Sequence, residues 1–316
     1  MTDSLFYTQR YQLKEILGTG GMGTVYRAYD RLTAHDVALK NVTIGQNDLM
    51  FTSKPSTSDV RLALAREFKT LANLRHPNII SVLDYGFDIN RTPFYTMDLL
   101  EDMQTFDRAC DDKPIAYVAE LIIQILQALS YLHRRGVVHR DLKPSNIAVL
   151  GGKSVKVLDF GLAKAQEQAG TDDEVAGTLA YMSPEVLLQG AVDIASDIYA
   201  VGIIAYEFLT GQHPFNTSQV TELIHNIINK PLDVSTLPQD LGMIILKMTA
   251  KDPKERYESA DIALIEWANY LKLPLKLETQ AIRESFLQSA QFVGRESELQ
   301  ILSDDLTTML NSTGGR

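Results

Sequence analysis

The sequence has 316 residues, a net charge of −10 and a single cysteine, Cys110. Its length allows two compact lobes with some chain to spare, and its acidic balance gives no electrostatic footprint for nucleic acid or an anionic membrane. One cysteine excludes an internal disulfide framework and fits a reducing compartment, so the expected location is cytoplasmic. No secretory leader is visible, and the most apolar helix candidate, residues 198–209, is too short to span a bilayer.

A glycine-rich turn between two strands is the first feature along the chain. Apolar and polar residues alternate from Tyr11 to the glycines, and the alternation resumes over residues 25–28, which predicts a β-hairpin. Gly18, Gly20 and Gly23 have the spacing G-x-G-x-x-G, which dinucleotide-binding folds also use. Those folds open a helix directly after the glycines, whereas a β-branched and aromatic run follows here. A hairpin that cradles phosphate is therefore favoured.

A third strand, a polar loop and a helix come next. Residues 37–40 predict a strand that ends in Lys40. Residues 41–60 are polar, rich in Ser and Thr and broken by a proline, which predicts an irregular loop. Leucines and a phenylalanine then recur at helical spacing over residues 62–74, so we expect a helix that carries Glu67.

Two more strands lead into a region dominated by helix patterns. Residues 79–83 and 94–97 predict the last strands of a small sheet, and residues 97–100 lead out of it. Apolar residues spaced three and four apart over residues 118–132 predict a long amphipathic helix that ends near Gly136. Three further helices are predicted, at residues 198–209, 243–249 and 260–271.

Two short polar motifs follow the long helix and carry the chemistry. Residues 139–146 read HRDLKPSN, which puts an acid, a base and an amide within one loop, and residues 159–161 read DFG. With the hairpin glycines and Lys40, the chain resembles the bacterial-type (Hanks-type) serine/threonine protein kinases over roughly residues 11–271. The resemblance implies an α+β, bilobal protein-kinase fold, with a small β-rich N-lobe that holds one regulatory helix and a larger helical C-lobe.

The resemblance also divides the chain. The segments it implies are an N-terminal lead (1–10), the N-lobe (11–98), the C-lobe (99–271), and a linker with the start of a truncated downstream module (272–316). Residues 292–299 read FVGRESEL and look like the opening of the AAA/STAND-type ATPase modules that some large bacterial kinases carry. Those modules continue into a phosphate-binding loop, so we expect an N-terminal piece of a larger signalling protein. A plain amphipathic helix is the alternative.

The resemblance places ATP between the two lobes. Glycines let backbone N–H groups approach the phosphates because no Cβ stands in the way. Lys40 would bind the α- and β-phosphates, with Glu67 as its ion-pair partner. Met97 would line the back of the adenine pocket, where the backbones of Asp98 and Leu100 would hydrogen-bond the base. The nucleotide-binding positions implied are Leu17, Gly18, Thr19, Gly20, Gly21, Met22, Gly23, Val25, Ala38, Lys40, Met97, Asp98, Leu100 and Ala148.

The two polar motifs would supply the catalytic groups, because phosphoryl transfer needs positioning and charge neutralisation more than covalent chemistry. By the resemblance, Asp141 accepts or orients the proton of the substrate hydroxyl. Lys143 reaches the γ-phosphate and distinguishes Ser/Thr kinases from most Tyr kinases. Asn146 and Asp159 offer hard oxygen ligands, which suit a Mg²⁺ ion that bridges ATP phosphates. The sequence contains no His/Cys cluster at ligand spacing that would indicate a metal other than Mg²⁺.

Further residues match supporting positions of the family. Glu185 ends the triplet SPE, where APE is usual, and would pair with Arg256. Asp197 would hold the backbone of the catalytic loop, although Tyr199 stands where tryptophan is common. The resemblance gives Glu185, Asp197 and Arg256 structural roles.

The segment from residue 159 to residue 185 carries the expected regulation. Arg140 precedes the catalytic aspartate, and kinases with this arginine are often controlled by a phosphate that pairs with it. Thr178 resembles the threonine that contacts the catalytic aspartate, which leaves Thr171 as the candidate autophosphorylation site. The carboxylates of residues 172–174 could instead substitute for a phosphate, or simply form a solvated acidic loop.

Functions from three classes are compatible with the sequence. The first is an enzyme that uses ATP and Mg²⁺ on protein Ser and Thr side chains, with a possible homodimer for autophosphorylation, no nucleic acid and no membrane contact. The second is a scaffold that binds nucleotide without useful turnover, against which stands the intact catalytic set. The third is a small-molecule phosphotransferase, against which stand the SPE triplet, residues 177–178 and residues 252–257.

Overall fold

The computed structural model describes residues 7–20, 23–42, 68, 71–89, 92–159, 172–188, 190 and 192–274. Within them a β-sheet lobe precedes a helical lobe, so the predicted bilobal α+β fold is confirmed. The strands are β1 (Tyr11–Gly20), β2 (Gly23–Asp30), β3 (His35–Asn41), β4 (Val82–Phe87), β5 (Pro93–Met97), β6 (Met103–Thr105), β7 (Ile147–Leu150) and β8 (Ser154–Val157). The helices are α1 (Phe106–Cys110), α2 (Ile115–His133), α3 (Asp172–Leu179), α4 (Pro184–Leu187), α5 (Ile194–Thr210), α6 (Val220–Asn229), α7 (Gln239–Met248) and α8 (Ala260–Leu271).

The first five strands form one antiparallel sheet in the order β1-β2-β3-β5-β4. Residues directly opposite each other in an antiparallel pair lie on the same face of the sheet. Val25 lies opposite Lys40, and Ala38 lies opposite Met97. Because side chains two apart on a strand also share a face, these four residues line one surface, which faces the cleft between the lobes.

The end of the polar lead is part of this lobe. The ring of Tyr7 packs edge-on against Phe94, at 5.4 Å between centroids. The Arg10 guanidinium donates to both carboxylate oxygens of Asp30, at 2.8 and 2.7 Å, and also pairs with Asp84. The lead is therefore bonded to β2 and β4.

Helices α2 and α5 form the centre of the second lobe, where α2 packs against α5 and α8. Val118, Leu121, Ile125 and Leu129 recur at helical spacing on α2 and are all buried. Among the described residues, α2 is the one helix long and apolar enough to cross a membrane by length and composition. Two thirds of its apolar window is buried inside the lobe, so it serves here as a core helix.

A second, three-stranded sheet of β6, β7 and β8 lies in the second lobe. Ile79 forms an isolated parallel bridge with Val157 of β8, and the backbone of Ile80 donates to the same residue at 3.0 Å. These bonds correct the strand predicted at residues 79–83. Because Ile79 and Ile80 are committed to β8, the strand that joins the first sheet begins at Val82.

Four of the predicted helices are confirmed in place, and most of the helix predicted at residues 62–74 lies outside the described residues. The helices predicted at residues 118–132 and 198–209 extend further at both ends as α2 and α5, and the one predicted at residues 243–249 begins earlier, at Gln239, and ends at Met248 as α7. The helix predicted at residues 260–271 matches α8. Helix α6 lies outside every predicted helix.

Candidate active site

A buried carboxylate from α5 holds the loop between α2 and β7. Gly136, with a left-handed φ of 70°, turns the chain out of α2. Asp197 accepts hydrogen bonds from the backbone N–H groups of His139 and Arg140, at 2.8 and 3.0 Å. Nε2 of His133 lies 2.8 Å from the same carboxylate, which is almost wholly buried. The structure thus brings Asp197 to the loop backbone, where the sequence interpretation places it.

The side chain of His139 ties this loop to the segment before Asp159. His139 is fully buried, and its Nε2 lies 2.9 Å from the carbonyl oxygen of Leu158. A carbonyl can only accept, so this nitrogen carries the proton. The N–H of Leu158 donates to the carbonyl of Asn146 at 2.8 Å. The residue before Asp159 is therefore fixed from both sides by the catalytic loop.

Two donors of the catalytic loop converge on the carboxylate of Asp141. Lys143 Nζ lies 3.2 Å from its Oδ2. The side-chain amide of Asn146 donates to the same oxygen at 3.0 Å and to the backbone carbonyl of Asp141 at 2.7 Å. Because these bonds use the amide nitrogen of Asn146, its amide oxygen is left as an acceptor.

Lys40 forms an ion pair with Asp159 across the cleft. Its Nζ lies 2.7 Å from Asp159 Oδ1, and its side chain is only 8% exposed. The phenol of Tyr95, on β5, donates to the same oxygen at 2.9 Å. The sequence interpretation pairs Lys40 with Glu67 and does not single out Tyr95. Glu67 lies outside the described residues, so that pairing stays a prediction.

Open space surrounds the hairpin glycines Gly18 and Gly20. A Cβ added at Gly18 or Gly20 would meet no heavy atom within 4 Å, and neither residue has a left-handed backbone. Packing within the described residues therefore gives no reason for glycine there, which suits the close approach of a ligand. Gly23, with a φ of 129°, serves the turn itself.

Apolar side chains lie at the positions predicted to line the adenine pocket. Ala38 on β3 and Ala148 on β7 are buried, Val25 and Met97 are half-buried, and Leu17 is exposed. This gradient is what a cleft open at its outer edge produces. It leaves the inner walls with small side chains that leave room for a planar base.

The segment after β5 offers backbone groups to such a base. The N–H of Asp98 donates to the carbonyl of Ser81 at 3.1 Å. Because this bond uses the N–H of Asp98, its backbone carbonyl is the group that Asp98 can offer to a base. Leu100 follows two residues later and is half-buried.

The oxygen donors near the cleft suit magnesium. Asp159 offers a carboxylate and Asn146 an amide oxygen, which are ligand types that Mg²⁺ prefers. In the part of the chain that the structure describes, no group of three or more His, Cys, Asp or Glu side chains could hold a metal ion. The donor set therefore fits an ion that completes its coordination with waters and phosphate oxygens rather than an all-protein cage.

A cavity beside the catalytic loop brings part of the predicted regulatory segment, residues 159–185, next to Asp141. Arg140, Asp141, Thr178 and Tyr181 all line it, and Thr178 lies near the end of α3. The Tyr181 phenol donates to Glu207 at 2.7 Å. Thr178 and Asp141 thus line the same space.

A bidentate ion pair joins Glu185, at the end of the predicted regulatory segment, to Arg256. Both terminal nitrogens of Arg256 donate to Glu185, at 2.8 and 2.7 Å, and the arginine side chain is fully buried. Its guanidinium also lies over the Tyr199 ring, 4.9 Å from the centroid. Burial favours a raised pKa for Glu185, but the hydrogen bonds and the positive charge of Arg256, together with smaller contributions from neighbouring groups, outweigh it and lower the pKa below its usual value. The pair predicted from the SPE triplet is thus present as a charged pair.

A family model described as a protein kinase domain matches residues 11–268. The chain belongs to the protein kinase family. It is 34% identical to the serine/threonine-protein kinase PknB of Mycobacterium tuberculosis (strain ATCC 25618 / H37Rv), over 309 residues that cover 92% of this chain and 48% of that protein. It is 36% identical to PknB of Mycolicibacterium smegmatis (strain ATCC 700084 / mc(2)155), over 82% of this chain and 43% of that protein.

A third similar kinase comes from a different bacterium. The probable serine/threonine-protein kinase PknB of Lactococcus lactis subsp. lactis (strain IL1403) is 33% identical, over 87% of this chain and 44% of its own length. The similarity confirms the resemblance to bacterial-type serine/threonine protein kinases. The chain spans slightly less than half the length of these relatives.

Some predicted kinase positions lie outside the described residues and stay predictions. They are Gly21, Met22, Glu67, Thr171 and the whole of residues 275–316, which include the proposed downstream module.

Proposed function

We propose that this kinase domain transfers the γ-phosphate of ATP, with Mg²⁺, to Ser and Thr hydroxyls of proteins. One observation carries the proposal. The catalytic loop and Asp159 are held to each other through Leu158, whose N–H and carbonyl are both bonded by loop residues. The acid–base group and the metal ligand thereby occupy a fixed relative position, which phosphoryl transfer requires above all.

The roles we propose follow from the contacts of each side chain. Asp141, oriented by the Asn146 amide, would accept or orient the proton of the substrate hydroxyl. Lys143, already beside Asp141, would move to the γ-phosphate, and Lys40 would move from Asp159 to the α- and β-phosphates. Asp159 and Asn146 would hold Mg²⁺. When bound, the ion neutralises charge that develops on the phosphates.

The test is transfer of labelled phosphate from ATP to generic protein substrates in the presence of Mg²⁺. We expect Asp141→Asn and Lys40→Met to lose transfer by at least about a hundredfold, because each removes a group from the reacting centre. Matched controls are Asp240→Asn, in the first turn of α7, and Lys14→Met, whose lysine pairs with Asp36 on the exposed side of the sheet. Both controls should retain transfer.

The outcomes separate the candidate functions. Transfer to proteins that fails in the two active-site variants supports the kinase proposal. Nucleotide binding with no transfer in the unmodified chain would show a scaffold, and transfer to small molecules alone would show a small-molecule phosphotransferase. Peptide mapping of the labelled chain shows in addition whether Thr171 is the autophosphorylated residue.

We further propose that phosphate on the activation segment, residues 159–185, regulates the domain. Arg140 and Thr178 line the same cavity, where Arg140 could meet a phosphate on the activation segment, and autophosphorylation between two copies would use a homodimer. Burial, and secondarily Asp107, raises the pKa of the Cys110 thiol to about 12, so Cys110 has little thiolate chemistry. We propose that the domain works in the cytoplasm, where ATP is found, as part of a larger signalling protein.

A further inference from the structure

Tyr95 is a buried tyrosine on the cleft face of the sheet. It lies opposite Lys40 of β3 and opposite Tyr85 of β4, so all three side chains share one face. Its exposed fraction is 4%. The ring alone could be supplied by phenylalanine at the same volume, so the feature that needs a reason is the hydroxyl.

The Tyr95 hydroxyl forms a hydrogen bond with the carboxylate of Asp159. It donates to Oδ1 at 2.9 Å, and Lys40 Nζ lies 2.7 Å from the same oxygen. A carboxylate can only accept, so the phenol keeps its proton in this contact. Burial, and then the charge of Asp159, holds the pKa of the Tyr95 phenol well above its usual range. Tyr95 is therefore a hydrogen-bond donor throughout the working pH range.

The backbone of Asp159 adopts an unusual conformation, which hydrogen bonds to its side chain help to hold in place. Its φ of 47° lies in the left-handed region, which non-glycine residues seldom adopt. Its side chain is only 24% exposed, and both donors fall on Oδ1. Two donors on one oxygen fix the direction of the carboxylate and leave Oδ2 as the oxygen that can bind another group without displacing either donor.

The two donors differ in what they must do during turnover. In the function proposed above, Lys40 leaves Asp159 for the nucleotide phosphates. Tyr95 has no such second task, and its ring is backed by Phe68, whose centroid lies 5.5 Å away. It can therefore keep Asp159 aimed into the cleft after the lysine has moved.

We propose that Tyr95 is a positioning residue for the metal-binding carboxylate of Asp159, and that its hydroxyl sets the Mg²⁺ concentration at which the domain binds nucleotide. The inference rests on the proposed role of Asp159 as a metal ligand. Tyr95 lies on β5, outside the glycine hairpin, the catalytic loop and the DFG triplet.

The test compares Tyr95→Phe with Tyr85→Phe in the full chain. Tyr85 is a matched control because its ring stacks on the same Phe68, while its side chain lies at the sheet edge and is 37% exposed. The thermal unfolding midpoint is measured at fixed ADP while Mg²⁺ is varied, and the Mg²⁺ concentration for half of the ADP-induced rise is read out. This measurement needs no catalytic activity.

We expect Tyr95→Phe to raise that Mg²⁺ concentration about tenfold, which is what loss of an outer hydrogen-bond partner commonly costs a metal site. Tyr85→Phe should leave it unchanged. The Mg²⁺ concentration for half-maximal phosphoryl transfer should rise by a similar factor. A purely structural role for the hydroxyl would instead lower the midpoint equally at every Mg²⁺ concentration.

Two results would overturn the proposal. One is a Mg²⁺ dependence of Tyr95→Phe that coincides with that of the unmodified chain, and the other is a uniform loss of stability. If the phenylalanine variant is too unstable to measure, Tyr95→Met, which also lacks the donor, is read in the same way. Failure of the proposed function looks different, because ADP would then fail to stabilise even the unmodified chain in a Mg²⁺-dependent way.

Discussion

His76 precedes β4 in the sheet lobe, and its imidazole is buried beside the ring of Tyr131 from α2. Its Nδ1 accepts a hydrogen bond from the backbone N–H of Asn78 at 3.1 Å, which requires a neutral ring with that nitrogen unprotonated. Burial, and then the positive charges of Lys156 and Arg134, lowers the pKa of His76 from 6.5 to about 4. Folding is thus linked to the neutral form.

This linkage predicts an acid-sensitive window. The unfolded chain binds a proton at His76 near pH 6.5, whereas the folded chain resists it down to about pH 4. The contribution to the free energy of unfolding is therefore fully present above pH 6.5 and is lost as the pH falls from 6.5 towards 4. A lowering of this size corresponds to about 3 kcal/mol.

Urea unfolding at pH 7 and at pH 4.5 measures the effect. His76→Asn keeps an acceptor near the position of Nδ1 but does not titrate, so its loss of stability between the two pH values should be smaller by about 2 kcal/mol. His225→Asn, on the exposed side of α6, is the control and should lose as much as the unmodified chain. Equal losses in all three chains would contradict the prediction.

Single residues differ in how well the sequence alone predicts them. Asp141, Lys143 and Asn146 stand together in one loop, so their spacing is enough to identify them. Tyr95 is separated from Asp159 by 64 residues and meets it only because β5 pairs with β3. No local sequence pattern predicts the contact between Tyr95 and Asp159. An isolated tyrosine on a strand is instead interpreted as an ordinary core residue.

Among the elements, helix α5 comes close enough to its neighbour to need a glycine. A Cβ added at Gly202 would meet the side-chain atoms of Thr249 at 2.6 Å and of Met248 at 2.9 Å. Gly202→Ala should therefore destabilise the fold by about 1–3 kcal/mol through overpacking, although alanine favours the helix itself. The free energy of unfolding in urea gives the measurement.

Gly177 in α3 is the matched control for this glycine. A Cβ there would meet nothing within 4 Å, and the residue is exposed. Gly177→Ala should leave stability unchanged or raise it by up to about 1 kcal/mol, through the gain in helix propensity alone. A loss of stability at Gly177 equal to that at Gly202 would show that close approach to α7 is not the cause.

The elements also show where pattern reading succeeds and fails. Helix α8 is predicted with its observed ends because Ser259 caps it and its apolar positions keep a helical period. Helix α6 is not predicted, although Leu223 and Ile227 stand four apart and are both buried. Its first turn follows a loop without a side-chain cap, so its beginning carries no local signal.

At the scale of the whole molecule, the described residues form two clusters of buried apolar side chains. The larger one spans both lobes, and the smaller one lies within the first sheet's lobe. Ile80, Val82 and Tyr95 from the sheet side belong to the same cluster of buried residues as Leu129 and Ile204 from the helical side. A core without a gap between the lobes favours unfolding in a single step. The boundary between the lobes, which the motifs place near the hinge, is therefore a boundary of function more than of stability.

Asn78 gives a way to test this continuity. Its side-chain amide donates to Gln124 at 2.9 Å and to the backbone of Val155 at 3.0 Å, so it bonds the segment before β4 to the helical lobe. Asn78→Ala removes both bonds and should cost about 1–3 kcal/mol, because the partners are left buried. If the lobes form one cooperative unit, that loss lowers the stability of both by the same amount.

Two probes report the lobes separately. Trp267 is the single tryptophan and is buried in α8, so its fluorescence follows the helical lobe, while amide hydrogen exchange in β3 follows the sheet. We expect the two probes to share one urea midpoint in the unmodified chain and to shift together in Asn78→Ala. Asn229→Ala, whose side chain bonds within α6 on its exposed side, should shift neither by more than about 0.5 kcal/mol. A β3 transition that falls alone would show that the lobes unfold independently despite their shared core, because only a cooperative unit passes the loss at Asn78 on to Trp267.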